Sequence, residues 1–169
     1  VLGRLSAEQL LGLAELARRH GDGSLRLTPW QSVLLPNMPE ALADGVIQSL
    51  QALGLLTDAA EPLARIIACT GVSGCAKGLA DTKADALRLA ELLPAGSERP
   101  GIHLTGCSRS CAAAHRAPFT LLAVAEGRYD LFARQPLGNG FGQLLGHHLT
   151  PDEAAELLAS LTATRSFTR

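Results

Sequence analysis

Hydrophobic positions recur first at helical spacing. In "LSAEQLLGLAELARRHG", Leu10, Leu13, Ala14 and Ala17 share one face, which predicts an amphipathic helix. Ser6 stands at its N-cap with Gln9 as capping-box partner, and Gly21 marks its end. The pattern then shortens. "SLRLTPWQSVLLP" predicts two strands, 24–28 and 32–35, with Pro29 at the junction and Pro36 as a stop. Helical spacing returns in "PEALADGVIQSLQALG", where Leu42, Val46, Leu50 and Leu53 point inward and Gly54 lies just beyond the end. Helix, strand, strand, helix within about 55 residues is half of an α+β sandwich, and its sheet needs further strands to cover it.

Composition shifts at "LTDAAEP", which places a domain boundary at residues 57–62. Beyond it, "LARIIAC" predicts a strand that runs into a cysteine, and "LADTKADALRLAELLP" a helix leaving a second cysteine. "GIHLTGC" repeats the design with a short strand that delivers a third. "PFTLLAVAEGRYDLFAR" reads as a hairpin turning near Glu126-Gly127, and "PLGNGFGQLLG" as a loop. The last helix is "TPDEAAELLASL", with Thr150 as cap, Pro151 in the first helical position and Glu153 as the reciprocal capping residue.

Composition narrows the class of function. At 169 residues, with 47% hydrophobic and 18% charged positions, the chain buries a real core in one or two small domains. A formal net charge of -1 gives no global attraction to nucleic acid or an anionic membrane. No apolar run is long enough to span a bilayer, and the first residues lack the regions of a signal peptide, so a cytoplasmic, reducing compartment is expected. The opening "VLGRLSAEQL" starts at Val1 without a methionine and reads as though it continues from something earlier.

The four cysteines carry the chemistry. Cys69 and Cys75 frame "CTGVSGC", Cys107 and Cys111 frame "CSRSC", and 31 residues separate the pairs. Cys107 and Cys111 are four apart, so a helical turn would project both sulfurs to one side. Cys69 and Cys75 are six apart, but Gly71 and Gly74 let their loop curl back and aim its amides inward. Amide hydrogens directed at sulfur stabilise the charge of an iron-sulfur cluster, and Gly106 permits the same close approach beside Cys107. Four thiolates on two loops can each hold one iron of a cubane. Three other readings of the same residues stand beside it: structural zinc, whose pairs usually have two to four residues between them; disulfides, which need an oxidising compartment; and four unrelated buried thiols.

"ACTGVSGC" with "TGCSRSC" resembles the C-x5-C and C-x3-C pairs of the siroheme-dependent sulfite and nitrite reductases, and "LRLTPWQSVLLP" resembles their substrate-side strand region. The resemblance implies an α+β fold: a ferredoxin-like half-domain over residues 1–58, then an α/β cluster-binding domain over 59–169. It implies a 4Fe-4S cluster on Cys69, Cys75, Cys107 and Cys111, with siroheme or a second non-haem iron beside it. Within the family, "TPW" at Thr28 to Trp30, "HLTGCSRSCAAAHRAP" and "GRYDLF" resemble the precorrin-3B synthase branch. That branch implies oxygen-dependent conversion of precorrin-3A to precorrin-3B in aerobic cobalamin synthesis, an electron donor as partner, and an N-terminal half of the same pseudo-symmetric fold. In the reductase branch the macrocycle is a cofactor and sulfite or nitrite the substrate. A non-catalytic zinc or iron-sulfur module is the third reading. In the reductases the final cysteine bridges cluster and siroheme iron, and Cys111 holds that position.

A tetrapyrrole rich in carboxylates calls for arginine and lysine. Arg26, Lys77, Arg109 and Arg116 lie in or next to the motifs and are the expected substrate contacts. Each also has a plainer role. Arg26 alternates with Leu25 and Leu27 as the solvent face of a strand would, Lys77 suits a solvated helix start, and Arg109 can offset cluster charge. His103 alternates with apolar neighbours and reads as a core histidine; His115 is the better candidate for ligation or proton transfer. His147 and His148 read as surface or capping residues, and Trp30 as core packing or a stacking platform.

Overall fold

The computed structural model describes residues 2–96, 100–113, 117–136 and 140–165, with side chains described as far as residue 161. The chain folds as two compact units, Val1–Asp58 and Ala59–Arg169.

The first unit begins with α1 (Ala7–His20). Its capping box closes as the sequence predicts: the Ser6 amide donates to Gln9 Oε1 at 3.0 Å, and the Gln9 amide donates to Ser6 Oγ at 3.1 Å. β1 (Arg26–Leu27) and β2 (Val33–Leu34) pair antiparallel, shorter than the predicted 24–28 and 32–35. A 3-10 turn at Glu40–Leu42 leads into α2 (Ala43–Ala52). Gly54 ends α2 at φ +71, while the Gly54 and Leu55 amides return to the carbonyls of Gln51 and Leu50 at 2.8 and 3.0 Å. This is the paired closure that a glycine just past the end of a helix permits.

The buried face of α1 differs from the expected one. Leu13, Leu16 and Ala17 are buried, whereas Leu10 is 50% exposed and Ala14 is exposed. On α2 only Val46 is buried, and Leu42 is 41% exposed. The reason is shortage of cover. Two strands of two residues each cannot bury the apolar stripes of two helices.

The second unit is built on a five-stranded sheet in the order β3-β4-β5-β6-β7. β3 (Ile66–Ala68), β4 (Ile102–Thr105) and β5 (Phe119–Ala125) run parallel; β6 (Arg128–Ala133) and β7 (Gln143–Leu149) continue it antiparallel. The 3-10 turn Pro62–Arg65 precedes β3, and the hairpin turns at Glu126-Gly127 as expected. "PLGNGFGQLLG", expected as a loop, ends inside β7: Gln143, Leu144 and Gly146 pair with β6, and Gly146 lies where the register shifts. α3 (Thr82–Leu92) begins seven positions past Cys75, so it does not leave that cysteine directly; Asp81 caps it by accepting from the Ala84 amide at 3.3 Å. α4 (Pro151–Arg165) is opened by the predicted Thr150/Glu153 capping box.

α3 packs against α4, and both helices cover the sheet. The core lies beneath them: Ile66, Ala68, Leu104, Leu121, Tyr129 and Leu131 from the strands, and Ala86, Leu89, Ala154 and Leu158 from the helices. Alternation along the strands sorts this face from the other, on which His103, Thr105 and Thr120 are also buried. No helix among the described residues is long and apolar enough to cross a membrane.

Candidate metal centre

Parallel pairing sets the geometry of the cysteine loops. Ala68 lies opposite Leu104, so β3 and β4 end together and release their following residues at one edge of the sheet. Ligand sites gather at such carboxyl ends because the connections must leave there. The Cys69 amide extends the ladder by one bond, donating to Leu104 O at 3.1 Å. Cys107 follows β4 by two residues, and Thr105 Oγ1 donates to Cys107 O at 2.8 Å.

The first loop is folded back on itself. Val72 N donates to Ala80 O at 2.9 Å, Gly78 N to Cys75 O at 2.9 Å, and Leu79 N to Gly106 O at 3.0 Å. Three glycines make the crossing possible. A Cβ on Gly71 would stand 2.6 Å from Ala80 O, one on Gly78 would stand 2.6 Å from the Gly71 carbonyl carbon, and one on Gly106 would stand 3.2 Å from Gly78 Cα. Gly71 also sits at φ +67. The sequence singles out Gly71, Gly74 and Gly106; Gly78, in "CAKGLAD", carries no signal beyond being a further glycine of the same loop, and a Cβ on Gly74 would meet only the Thr70 side chain, at 2.6 Å.

Cys69 is the best-supported sulfur. The Gly106 amide donates to Cys69 Sγ at 3.1 Å, and Thr82 Oγ1 lies 3.6 Å from it while donating to Cys69 O at 2.8 Å. Lys83 Nζ donates to Ala68 O at 3.2 Å, which brings a cation to the base of the loop. Cys69 and Cys107 are half-buried, Cys75 and Cys111 exposed, and all four are free thiols.

Cys107 to Cys111 does not form the helical turn the spacing suggests. Ser110 has φ +53, and its amide bonds back to Cys107 O at 3.3 Å, which makes a tight turn. Ser110 Oγ lies 3.4 Å from His103 Nδ1, so the turn leans on a buried histidine. His103 is 1% exposed, and its Nε2 has no partner among the described residues. Burial lowers its pKa to about 4 and keeps the ring neutral.

The other expected site residues disperse. Lys77 and Arg109 are exposed on the two cysteine loops, Arg26 is exposed on β1 in the first unit, and Trp30 is 68% exposed rather than in the core. Arg116 and His115 lie outside the described residues. His147 and His148 are exposed in β7, where His147 Nδ1 stands 3.4 Å from Asp130.

Tyr129 and Asp85 escaped sequence reasoning, because nothing in either segment announces the partner. Tyr129 Oη donates to Asp85 Oδ2 at 2.5 Å beneath α3. Burial raises the Asp85 pKa, and the tyrosine bond pulls it part of the way back; burial and the carboxylate push the tyrosine up. Because the folded pKa of Asp85 exceeds its unfolded value, its contribution is most favourable at low pH and is lost as pH rises through the folded pKa. Tyr129→Phe removes the offsetting donor. We expect a loss of about 1–3 kcal/mol in urea unfolding at pH 7, shrinking as pH falls toward 4, and an unchanged unfolding curve at both pH values would refute the assignment.

Four cysteine thiols are a donor set of the kind an iron-sulfur cluster takes. Among the described residues, no group of three or more His, Cys, Asp and Glu side chains stands together as a metal-binding set. Yet four free thiols sit on two loops at one sheet edge, an amide already points at one sulfur, and a glycine crossing clears the space a Cβ would fill.

Residues 1–53 match the family described as nitrite/sulfite reductase ferredoxin-like half domain. Sulfite reductase (ferredoxin) 2 of Mycolicibacterium paratuberculosis is 30% identical over 177 aligned positions, covering 94% of this chain and 32% of that protein. Ferredoxin–nitrite reductase of Synechococcus elongatus is 38% identical over 136 positions, covering 76% of this chain and 26% of the relative. The structure of Mycobacterium tuberculosis NirA protein superposes with a TM-score of 0.75 at 27% identity, over 96% of this chain and 33% of that one. Dissimilatory sulfite reductase I shares the fold at a TM-score of 0.57 and 17% identity, over 70% of this chain and 30% of that one. The chain thus spans about a third, or less, of the length of these relatives.

Proposed function

We propose, from the match of residues 1–53 to the nitrite/sulfite reductase ferredoxin-like half-domain family, that this chain is the cluster-bearing part of a siroheme-dependent sulfite or nitrite reductase. The observation that carries the proposal is the sheet edge where Cys69, Cys75, Cys107 and Cys111 emerge on two adjacent loops, with the Gly106 amide aimed at the first sulfur. Similarity to sulfite and nitrite reductases along 94% and 76% of the chain supports it.

When bound, a 4Fe-4S cluster supplies a one-electron store whose potential depends on the hydrogen bonds to its sulfurs. The protein's own part is to hold it. Cys69 and Cys107 provide thiolates from the strand ends; Cys75 and Cys111, being exposed, provide the two that move inward. The three-glycine crossing brings the two loops into close backbone approach, and a shared centre would draw together four sulfurs that do not already stand as a metal-binding set among the described residues. Lys77 and Arg109 place positive charge on the same loops, where it offsets the charge of four thiolates and attracts an anionic substrate or the carboxylates of a macrocycle. Cys111 would complete the four cluster ligands, and a ferredoxin-type protein would be the electron donor.

The second reading, conversion of precorrin-3A to precorrin-3B, rests on "TPW", "HLTGCSRSCAAAHRAP" and "GRYDLF". The sulfite and nitrite reductases named above lend it no support, so it stands behind the first.

The test is iron, acid-labile sulfide and siroheme absorbance on anaerobically purified full-length protein, followed by oxidation of reduced methyl viologen with sulfite, nitrite or neither. About four iron and four sulfide per chain, siroheme bands and substrate-dependent oxidation are expected. Zinc, or no metal, would refute the cluster. Cluster without siroheme, and turnover of a precorrin in place of sulfite or nitrite, would transfer the protein to the second reading.

A further inference from the structure

Thr82 opens α3 and is fully buried, at 0% exposure. Its hydroxyl donates to Cys69 O at 2.8 Å while its oxygen stands 3.6 Å from Cys69 Sγ. Two acceptors of one residue therefore lie within a single rotation of one O–H bond. With the thiol protonated, Cys69 can itself donate to the Thr82 oxygen and the hydroxyl is free to serve the carbonyl. A metal-bound thiolate has no proton to give, and the arrangement then favours turning the hydroxyl to the sulfur.

Resting on the cluster reading above, we propose that Thr82 is a positioning residue whose hydroxyl donates to the Cys69 sulfur and holds the cluster's reduced state more favourable than it would otherwise be. Cys69 is the sulfur for which such control is effective. Cys75 and Cys111 are exposed, so water can satisfy them and no single side chain dominates. At Thr82 water has no access, and a deleted hydroxyl has no replacement. The added electron increases the charge on the ligand sulfurs, so a donor fixed beside one of them strengthens on reduction. The Gly106 amide does the same from the opposite loop, but as backbone it is invariant to substitution. Thr82 is the adjustable half of the pair.

The experiment is a redox titration of the cluster-loaded protein, followed by electron paramagnetic resonance, for wild type, Thr82→Val, Thr82→Ala and Thr82→Ser, with iron and sulfide measured on each. Valine removes the hydroxyl at constant shape, alanine removes it with less bulk, and serine keeps it. We expect valine and alanine to lower the midpoint together, with the reduced form about tenfold less populated at a given potential, which is about 59 mV for one electron. Serine should stay with wild type. Loaded valine or alanine variants at the wild-type midpoint, or serine falling as far as valine, would overturn the role of the hydroxyl while leaving the cluster reading intact. A wild-type protein without iron and sulfide would instead overturn the cluster reading, and this proposal with it.

Discussion

Gly71→Ala should destabilise the second unit by about 3 kcal/mol or more and abolish metal binding by the cysteine loops. Two costs combine at this position. The backbone sits at φ +67, where a side chain costs about 1–2 kcal/mol. The new Cβ would also stand 2.6 Å from Ala80 O and 2.8 Å from Thr82 N, and both are backbone atoms. Neither can rotate away, and separating them breaks the Val72-to-Ala80 bond that closes the loop. Overpacking of this kind adds about 1–3 kcal/mol. Gly127→Ala is the control, since Gly127 has φ +59 but nothing within 4 Å of the added carbon. It should cost only the backbone term. Urea unfolding of the two variants, with iron content measured after reconstitution, separates strain from collision; equal losses would mean that the glycine crossing is not a close contact.

The same crossing shows what the sequence could and could not reveal. Local signals were legible: the Ser6/Gln9 and Thr150/Glu153 capping boxes, the Glu126-Gly127 turn and the glycine that ends α2 all depend on residues a few positions apart. So was the pairing of cysteines by loop, because strand-then-cysteine occurs twice in the text of the chain. What escaped were contacts set by the sheet. Gly78 meets Gly71 and Gly106, Tyr129 meets Asp85, and Thr82 meets Cys69 only after β3, β4 and β6 have taken their places. The helical reading of Cys107–Cys111 failed for a related reason: spacing alone ignores the positive φ of Ser110, which the neighbouring histidine helps to hold. Amphipathic faces failed where cover is missing, as on α1, since periodicity reports what can be buried and not what is there to bury it.

That histidine yields the last large effect. His103 is 1% exposed, and burial drops its pKa to about 4 from an ordinary 6.5. The folded value lies below the unfolded one, so the unfolded chain takes up the proton first. Stability from this group is fully present above pH 6.5 and is lost as pH falls toward 4. At 1.36 kcal/mol per unit the loss is about 3 kcal/mol across that window. His103→Leu abolishes the titration and also removes an Nε2 that has no partner, so at pH 7 it should cost little beyond the Ser110 contact. Urea unfolding of the metal-free protein between pH 7 and pH 4 should therefore show a wild-type slope about 3 kcal/mol steeper than that of the variant; parallel slopes would mean that His103 is already protonated or solvated in the fold. The consequence reaches the cysteines. Protonated His103 becomes a buried cation behind the Cys107–Cys111 turn, so acid should loosen that loop before it unfolds the sheet. Alkylation of Cys107, which is half-buried, should accelerate below pH 5.5 relative to exposed Cys75 in wild type and not in His103→Leu.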